Sequence, residues 1–411
     1  MSFSAVITNK PGFYQKQVLK MLTRMKRGML SLTMPDGQTH SFGDTEELSA
    51  ELTIKDPAFF KRCVLYGDIG FGEAYVEGNC DSADITKVVK WFILNLESTP
   101  GISGSAVRSA GMNLLKLWNK ISHWGRVNSL DGSKQNIAEH YDLSNDFFAL
   151  FLDPSMTYSC AYFKDESLTL QQAQEAKLER LSRELRLKPG MRVLEIGSGW
   201  GSNAIYMSKK YGVSVKSITI SEAQKELAMA RVKEAGMENL VEISLCDYRE
   251  VEGEFDRIVS IEMLEAVGDE YLDVYFKKCH ELLKKDGILA FQVITCPDSR
   301  YEDLKNGVDW IQKHIFPGTL LPSVGRLNQA INATGDLTLI DLKDLGQHYA
   351  ITLNTWKKNF NDKIERVRAL GFNERFIRKW NYYFSYCEAA FAMRNINVMQ
   401  MVYCRPNNNS N

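Results

Sequence analysis

Short apolar runs alternate with amphipathic stretches from about residue 190 onwards, and this alternation predicts strands and helices in turn. Five of the runs predict strands, at 193–196, 214–220, 240–245, 255–264 and 287–295. Helices are predicted between them, among them 221–233, with Ser221 as N-cap, and 272–285. Such alternation over short loops indicates a parallel, doubly wound sheet that binds ligands beyond the carboxyl ends of its strands. Two later apolar runs, 337–345 and 398–404, predict a closing antiparallel pair.

The turn after the first of these strands carries the most informative local pattern. Gly197, Gly199 and Gly201 occupy alternate positions between the apolar strand and a helix-compatible stretch. Glycine permits a sharp turn and lets a ligand lie against main-chain N–H groups at the start of a helix. The spacing differs from the dinucleotide pattern because Ser202 stands where its third glycine would fall. Glu195, inside the strand, favours a positively charged ligand such as S-adenosylmethionine, and the alternative is an ordinary strand–turn–helix corner.

Polar side chains are predicted at the carboxyl ends of the later strands, namely Thr219, Asp247, Glu265 and Gln292. The carboxyl ends of parallel strands meet at one edge of a sheet, where open α/β sheets bind their ligands. We therefore expect these side chains and Gly197 to lie around a single site.

Composition excludes several kinds of function. The 411 residues suffice for two domains, and 44% hydrophobic with 25% charged residues is typical of a globular protein. A net charge of −1 argues against a dedicated nucleic-acid binder, and the dispersed cysteines and histidines favour neither a disulfide framework nor a metal site. No apolar run has the roughly 18 residues of a membrane span. The N-terminus lacks a signal-peptide core, so we expect a cytoplasmic protein.

The near-neutral total hides two basic stretches without any acidic residue. The cations of the first stretch are Lys10, Lys16, Lys20, Arg24, Lys26 and Arg27. Val18, Leu22, Met25 and Met29 recur beside them at helical spacing, and residues 102–129 combine further cations with leucines and tryptophans. Cations beside an apolar helix face favour an anionic membrane surface. The alternative is a pair of solvated amphipathic helices that pack on the protein's own core.

Sequence blocks on both sides of the glycine turn carry a specific resemblance. They read HYDLSNDFF at 140–148, MTYSCAYF at 156–163 and MLEAVG at 263–268. With these blocks in this order, the chain resembles the cyclopropane-fatty-acid synthase family of S-adenosylmethionine-dependent methyltransferases, whose relatives include the mycolic acid cyclopropane synthases. The resemblance implies a doubly wound, mostly parallel, seven-stranded Rossmann-like sheet with a smaller N-terminal domain. We accordingly expect a lipid-docking domain at 1–130 and a catalytic domain at 131–411.

The resemblance also implies a cofactor site. Its expected residues are Tyr158, Ser159, Gly197, Gly199, Gly201, Thr219, Gln224, Asp247 and Tyr248. Tyr158 and Ser159 would cover the methionine end, the glycines would offer backbone contact, and Asp247 with Tyr248 would hold the adenine. Many nucleotide-binding folds place an acid at the end of the second strand for the ribose hydroxyls. This chain has Thr219 there, so the expected substitute is Gln224.

The chemistry that the resemblance implies is methyl transfer to the double bond of an unsaturated acyl chain, followed by ring closure. The alkene needs no base to react, but a proton must leave the new methyl group before the ring closes. In the family a bound bicarbonate serves that deprotonation, and its expected holders here are Cys160, Glu265, Gln292, the backbone of Ile294, and Tyr349. Gln292 and Ala266 stand where well-studied bacterial synthases carry histidines, and an amide cannot shuttle a proton. A methylene or methyl-branched product is therefore an alternative to a cyclopropane.

The function predicted from the sequence is the synthesis of cyclopropane fatty acids on membrane phospholipids, with S-adenosylmethionine and bicarbonate as cofactors. The expected partners are an anionic phospholipid surface, at the inner face of the membrane, and unsaturated acyl chains. A second copy of the chain, in a homodimer, is a further candidate, and nucleic acid is not expected. The alternatives are a methyltransferase for a soluble amine or aromatic molecule and a non-catalytic membrane-binding protein. The retained glycines and Glu265 favour an enzyme.

Overall fold

The computed structural model describes residues 12–44, 47–98, 144–165, 167–406 and 408. The described residues up to 98 form one compact unit together with Glu374–Tyr382, and the other described residues form a second unit. Within these ranges, no helix is both long and apolar enough to cross a membrane.

The small unit contains a four-stranded sheet in its described residues. Its elements are α1 (Phe13–Leu22), β1 (Met29–Thr33), β2 (Thr39–Phe42), β3 (Ser49–Ile54), α2 (Ala58–Val76), β4 (Cys80–Asp81), α3 (Ile85–Leu94) and a 3₁₀ turn (Leu96–Ser98). The strand order is β2-β1-β3-β4, with β1 parallel to β3 and the other pairs antiparallel. Side chains of β3 are alternately exposed and buried, as expected for a strand with one face on a core. Gly67 has a φ of 58°, which favours glycine, and it kinks α2.

The apolar positions of the first basic stretch face the protein's own core. Val18, Leu22 and Met25 are buried. The described cations of the stretch are all exposed: Lys16, Lys20, Arg24, Lys26 and Arg27. The described part of this stretch is therefore an amphipathic helix that packs internally and presents its charges on the surface. Lys10, the stretch 102–129 and the expected domain boundary at 130 lie outside the described residues.

The large unit is an alternation of strands and helices. Up to the central strands its elements are α4 (Asn145–Phe148), α5 (Leu170–Glu184), β5 (Arg192–Ile196), α6 (Ser202–Tyr211), β6 (Ser214–Thr219), α7 (Glu222–Glu234), β7 (Val241–Leu245), β8 (Phe255–Ile261), α8 (Leu272–Leu282) and β9 (Leu283–Thr295). They are followed by α9 (Tyr301–Asn306), α10 (Trp310–His314), α11 (Val324–Thr334), β10 (Thr338–Asp344), α12 (Gly346–Asp362), α13 (Ile364–Ala369), α14 (Glu374–Ala392) and β11 (Asn397–Cys404). Short 3₁₀ turns lie at Tyr248–Glu250, Leu264–Ala266, Asp269–Tyr271 and Asp298–Arg300.

The large sheet confirms the predicted architecture. Its strand order is β10-β11-β9-β8-β5-β6-β7. Neighbours from β9 to β7 pair in parallel, and β10 and β11 add the antiparallel pair at one end. The seven-stranded, mostly parallel sheet is thus as expected, and each predicted strand lies within a few residues of its observed bounds.

Both faces of the central part of this sheet are buried, which explains why strands such as β8 and β9 read as continuous apolar runs. Leu194 and Ile258 belong to a cluster on one face, with helix α8 among its elements. Their neighbours Val193 and Val259 belong to a second cluster, which includes residues of α6 and α7. Successive side chains of a strand point to opposite faces, so the central strands anchor both layers of helices.

A charged cluster joins the loop before α8 to helices α9 and α11. The carboxylate of Asp269 accepts hydrogen bonds from Tyr301 (2.5 Å) and Arg326 (2.6 Å), and it forms an ion pair with Lys305 (2.5 Å). Burial raises the pKa of Asp269, but these three partners outweigh it and lower the pKa to about 2.

Replacing this charge should destabilise the fold in a pH-dependent way. A depressed carboxyl pKa contributes stability above its unfolded value of about 4, and that stability is lost as the pH falls towards the folded value. We expect Asp269→Asn to lower the free energy of unfolding by about 2 kcal/mol at pH 7, with a smaller difference at pH 3. Urea unfolding at both pH values measures this. Asp303→Asn, an exposed site on α9, is the matched control; an equal loss in both variants would contradict the role of Asp269.

Candidate active site

The loop between β5 and α6 has a backbone that requires its glycines. Gly197, Gly199 and Gly201 have φ values of 96°, 48° and 84°, in the region that side chains disfavour. A Cβ atom on Gly199 would meet no atom within 4 Å, so the loop borders open space at this point. A Cβ on Gly201 would lie 3.2 Å from Ala228 of α7, so the third glycine serves packing instead. This loop therefore fits a ligand that lies against its backbone at Gly199.

Hydrogen bonds from neighbouring segments fix the glycine loop. The N–H groups of Gly197 and Ser198 both donate to the carbonyl of Ile218, at 3.0 and 2.9 Å. The indole N–H of Trp200 donates to Asn145 (2.8 Å), while Arg231 donates to the carbonyl of Trp200 (2.9 Å). The loop is thus held in place by the next strand and by two helices before any ligand binds.

Glu195 has an internal role rather than the ligand contact expected from the sequence. Its Oε1 accepts a hydrogen bond from Asn203 (2.8 Å) and its Oε2 one from Ser217 (2.5 Å). Burial raises the pKa of Glu195 to about 7, against these hydrogen bonds. The carboxyl group joins β5 to α6 and β6, because a buried acid needs partners that surface acids find in water.

The ends of β6 and β7 bring together the other predicted cofactor residues. The hydroxyl of Thr219 donates to the amide oxygen of Gln224 (2.9 Å), so the amide nitrogen of Gln224 is left to donate elsewhere. Asp247 accepts two hydrogen bonds from the guanidinium of Arg249, at 2.8 and 2.7 Å. The ring of Tyr248 packs edge-on against Tyr275. Among the described residues, the amide nitrogen of Gln224 has no acceptor and can donate to a hydroxyl, while the carboxylate of Asp247 is already paired.

Tyr158 and Ser159 lie in a buried segment that connects to other parts of the large unit. The hydroxyls of Tyr158 and Tyr383 are 2.9 Å apart. Ser159 accepts a hydrogen bond from the fully buried Lys177 (2.6 Å). Burial lowers the pKa of Lys177 to about 8, although the negative charge of Glu262 opposes that shift. The segment therefore places a buried cation next to an acidic centre.

Glu262 is the centre of this acidic group, and the sequence analysis did not identify it. Its Oε1 accepts hydrogen bonds from the backbone N–H of Cys160 (2.8 Å) and from Gln292 Nε2 (2.7 Å). Its Oε2 accepts one from the hydroxyl of Tyr349 (2.8 Å). Burial raises the pKa of Glu262 above its usual value, although Lys177 and these three hydrogen bonds oppose that shift. Three of the residues expected to hold bicarbonate therefore hold a carboxylate of the protein itself.

The backbone at Glu262 is unusual for a residue with a side chain. Its φ is 49°, in the left-handed region, where strain of this kind tends to cluster at functional sites. The signal available in the sequence was an acid that interrupts an apolar strand at its carboxyl end, three residues before Glu265. The family resemblance directed attention to Glu265 instead.

Glu265 and Ile294 contact each other through a hydrogen bond. The backbone N–H of Ile294 donates to Glu265 Oε1 (2.5 Å), and Oε2 is buried without a partner in the described residues. Burial and the nearby charge of Glu262 raise the pKa of Glu265 to about 8, so at neutral pH this carboxyl group is protonated. A neutral Glu265 can donate a hydrogen bond from Oε2.

Bicarbonate does not fit the donors as they are arranged. The groups that would bind it already donate hydrogen bonds to Glu262. The other acid beside them, Glu265, is protonated and carries no charge. A second anion would have to displace a carboxylate of equal charge from the same hydrogen bonds.

Comparisons with known proteins show the family to which the chain belongs. A family model described as mycolic acid cyclopropane synthetase matches residues 128–401. The chain is 37% identical to a tuberculostearic acid methyltransferase of Mycobacterium tuberculosis, over 92% of this chain and 88% of that protein. It is 39% identical to the cyclopropane-fatty-acyl-phospholipid synthase of Escherichia coli, over 87% of this chain and 88% of that protein.

The fold of the chain also matches a solved structure from the same family. It is the crystal structure of a mycolic acid cyclopropane synthase complexed with SAH and CTAB, with 33% identity and a TM-score of 0.61. The match covers 66% of this chain and 98% of that one. The resemblance stated from the sequence blocks is thereby confirmed. The chain belongs to the mycolic acid cyclopropane synthetase family and is an S-adenosylmethionine-dependent methyltransferase.

Proposed function

We propose that the protein adds a methylene group from S-adenosylmethionine to the double bond of unsaturated acyl chains of membrane phospholipids. The observation that carries the proposal is a buried acidic centre that directly precedes Met263, a residue beside the glycine loop. A Cβ on Gly197 would lie 3.4 Å from the side chain of Met263, which adjoins Glu262. Closing a ring requires removal of a proton from the transferred carbon, and a buried carboxylate can accept that proton. A relative named cyclopropane-fatty-acyl-phospholipid synthase supports this substrate.

The cofactor supplies an electrophilic methyl group, and the chain's own residues would orient it. Gly199 would lie against it through the backbone, with the loop at Gly197 and Gly201 keeping that backbone in place. The free amide nitrogen of Gln224 would donate to a ribose hydroxyl. Tyr158 and Ser159 would close the methionine end, and Asp247 with Tyr248 would border the adenine. These roles follow the family resemblance together with the positions of the strand ends.

Aromatic rings near the acidic centre suit a reaction that develops positive charge on an alkene. Tyr158 packs against Trp356 with ring centroids 5.2 Å apart, and Trp356 lies 6.0 Å from the ring of Tyr349. Phe316 lies 6.5 Å from Tyr158 on the other side. Aromatic faces attract cations and exclude water, which would otherwise add to a carbocation. A cyclopropane product depends on that exclusion.

A methyl-branched or methylene chain is the second candidate product. It is favoured by the 37% identity to a tuberculostearic acid methyltransferase, over nearly the whole of both proteins. Gln292 is consistent with either product, since its amide orients a neighbouring group without carrying a proton itself.

Membrane phospholipids are the proposed source of the acyl chains, with the protein bound peripherally at the cytoplasmic face. Lys16, Lys20, Arg24 and Lys26 are exposed and have no ion-pair partner among the described residues. Phe13, at the start of the same helix, is 68% exposed. A cationic surface with an aromatic side chain at its edge suits an anionic lipid surface.

Expression in a host with monounsaturated phospholipids tests the substrate and the product together. We expect acyl chains that gain one CH₂ and lose their reactivity towards ozone, as measured by mass spectrometry of intact lipids. Chains that gain a methyl branch would select the second product. Unchanged lipids, together with methylation of a soluble amine, would contradict a lipid substrate.

Gly199→Val should abolish cofactor binding because its side chain would enter the open space beside the loop. Calorimetric titration with S-adenosylmethionine measures the loss, which we expect to exceed 10²-fold, on the order of several kcal/mol. Gly236→Val is the matched control, since Gly236 also has positive φ and open space around it. If both variants fold and bind the cofactor like the wild type, the loop is not the cofactor site.

Replacing Lys16, Lys20, Arg24 and Lys26 with Gln should weaken binding to vesicles that contain anionic phospholipid. Each cation near such a surface contributes about 1 kcal/mol, so the affinity should fall roughly 10²- to 10³-fold at low salt and less at high salt. Vesicle co-sedimentation measures this. The matched control carries the same charge change at exposed lysines of the large unit: Lys188, Lys209, Lys233 and Lys285. Equal loss in both variants would show that net charge, and not this helix, determines binding.

A further inference from the structure

We propose that Glu262 is a built-in proton acceptor for ring closure, so that this protein needs no bicarbonate. The inference rests on the proposed function, because it assigns the proton that the ring-closing step releases. It departs from the cofactor set that the family resemblance implies, and that departure can be tested separately.

The hydrogen bonds around Glu262 form an anion site that is filled from within the chain. A backbone N–H, an amide N–H and a phenol O–H converge on its two oxygens, and all three are donors. Within the described part of the chain, Oε1 accepts two of these bonds and Oε2 accepts only that of Tyr349. A carboxylate oxygen has two lone pairs, so Oε2 retains one that can take a proton.

A chain of polar groups fixes the direction of the hydrogen bond from Gln292. Arg180 can only donate, and it donates to the amide oxygen of Gln400 (2.8 Å). The amide nitrogen of Gln400 then donates to the oxygen of Gln292 (2.9 Å). The nitrogen of Gln292 must therefore face Glu262, and it stabilises the ionised carboxylate there.

None of the groups that bind Glu262 can accept the proton in its place. The amide of Gln292 is not a base, and the thiol of Cys160 donates to the carbonyl of Ala161 (3.2 Å). Burial and the charge of Glu262 raise the pKa of Tyr349 well above its usual value, so its hydroxyl stays protonated. The carboxylate of Glu262 is consequently the base of the cluster.

Glu265 supports this assignment by being the protonated member of the pair. Two buried carboxyl groups close together do not both ionise, and the charge goes to the one with better partners. Glu262 has three donors and the buried cation of Lys177, whereas the donors to Glu265 are two backbone N–H groups, that of Ile294 and its own.

The proton balance of the step is simple. The alkene π electrons form a C–C bond as the S–CH₃ bond breaks with its electron pair remaining on sulfur, and the other alkene carbon becomes cationic. A C–H bond of the transferred methyl group then breaks, its electron pair closes the ring, and the proton passes to Glu262 Oε2. Release of that proton to water restores the carboxylate, so no further reactant is consumed.

The first experiment compares turnover of the wild type in carbonate-free buffer and in buffer with added bicarbonate. We expect equal rates, measured as SAH release and as cyclopropane formation on unsaturated phospholipid vesicles. A wild-type rate that falls severalfold on removal of bicarbonate, and returns when it is added, would overturn the proposal.

The second experiment uses Glu262→Gln, which keeps the size of the side chain but cannot take up the proton. We expect cyclopropane formation to fall roughly 10²-fold or more, the scale for a lost general base. Cofactor binding by calorimetry should be unchanged, and the remaining product should shift to methyl-branched alkenes and alcohols, because the cation loses another proton or adds water. Glu270→Gln, at an exposed site, is the control. Full cyclopropane formation by Glu262→Gln would overturn the proposal.

Glu262→Gly provides a test by chemical rescue. Glycine suits the φ of 49° and would leave the donors of Cys160, Gln292 and Tyr349 open to a small anion. Added bicarbonate should raise the activity of this variant at least tenfold and leave that of the wild type unchanged; absence of rescue in a folded, cofactor-binding variant would count against the anion site. If the wild type does not act on unsaturated lipids at all, the proposed function fails, and the bicarbonate comparison is then made on whichever substrate it methylates.

Discussion

The hydrogen bonds to the carboxylate of Glu262 are the constraint around which the site is arranged. They join the segment of Cys160, the end of β8, the end of β9 and the start of α12, where Tyr349 lies. An ionised carboxylate that is removed from water needs several donors to offset its lost hydration. The four segments must therefore be in place together, and the left-handed backbone of Glu262 is maintained by the same contacts.

The parallel sheet accounts for the closeness of this centre to the cofactor loop. β5 and β8 are neighbours in register, with Ile196 opposite Ser260, so the residues after each strand emerge side by side. The glycine loop follows one strand, and Met263 with Glu262 follows the other. The turn at Gly197 requires a positive φ, and a side chain there would press on Met263. The same glycine thus serves both backbone geometry and the approach of the two halves of the site.

The charges in this region favour a reaction that passes through a cation. A carboxyl group with three hydrogen-bond donors, a neutral acid and a buried lysine lie near a set of aromatic rings. A fixed negative charge in a water-poor site stabilises nearby positive charge far more than it would in water. Lys177 donates a hydrogen bond to the hydroxyl of Ser159. Its positive charge acts to lower the pKa of Glu262 and so favours the ionised carboxylate. Under the proposed mechanism, Glu262 supplies the negative charge beside the cationic intermediate, and bicarbonate is not needed for that purpose.

Much of the fold was determined by the sequence itself. Period and length of the apolar runs predicted the seven strands of the large sheet, including the antiparallel pair formed by β10 and β11. The glycine spacing predicted a sharp turn between β5 and α6, since only glycine adopts its backbone freely. These features depend on local steric and hydrophobic rules, which act on neighbouring residues and can be read from their order.

The partners of each polar side chain were decided only by the tertiary structure. Glu195, expected to face a cationic ligand, binds Asn203 and Ser217. Cys160, Gln292 and Tyr349 were correctly grouped through family resemblance, but the group that they hold is Glu262, which is distant from each of them in the chain. A hydrogen bond depends on where donors and acceptors meet in three dimensions, and strands far apart in sequence determine that. The sequence therefore fixes which chemical groups are present, whereas the packed sheet decides which of them carries the charge.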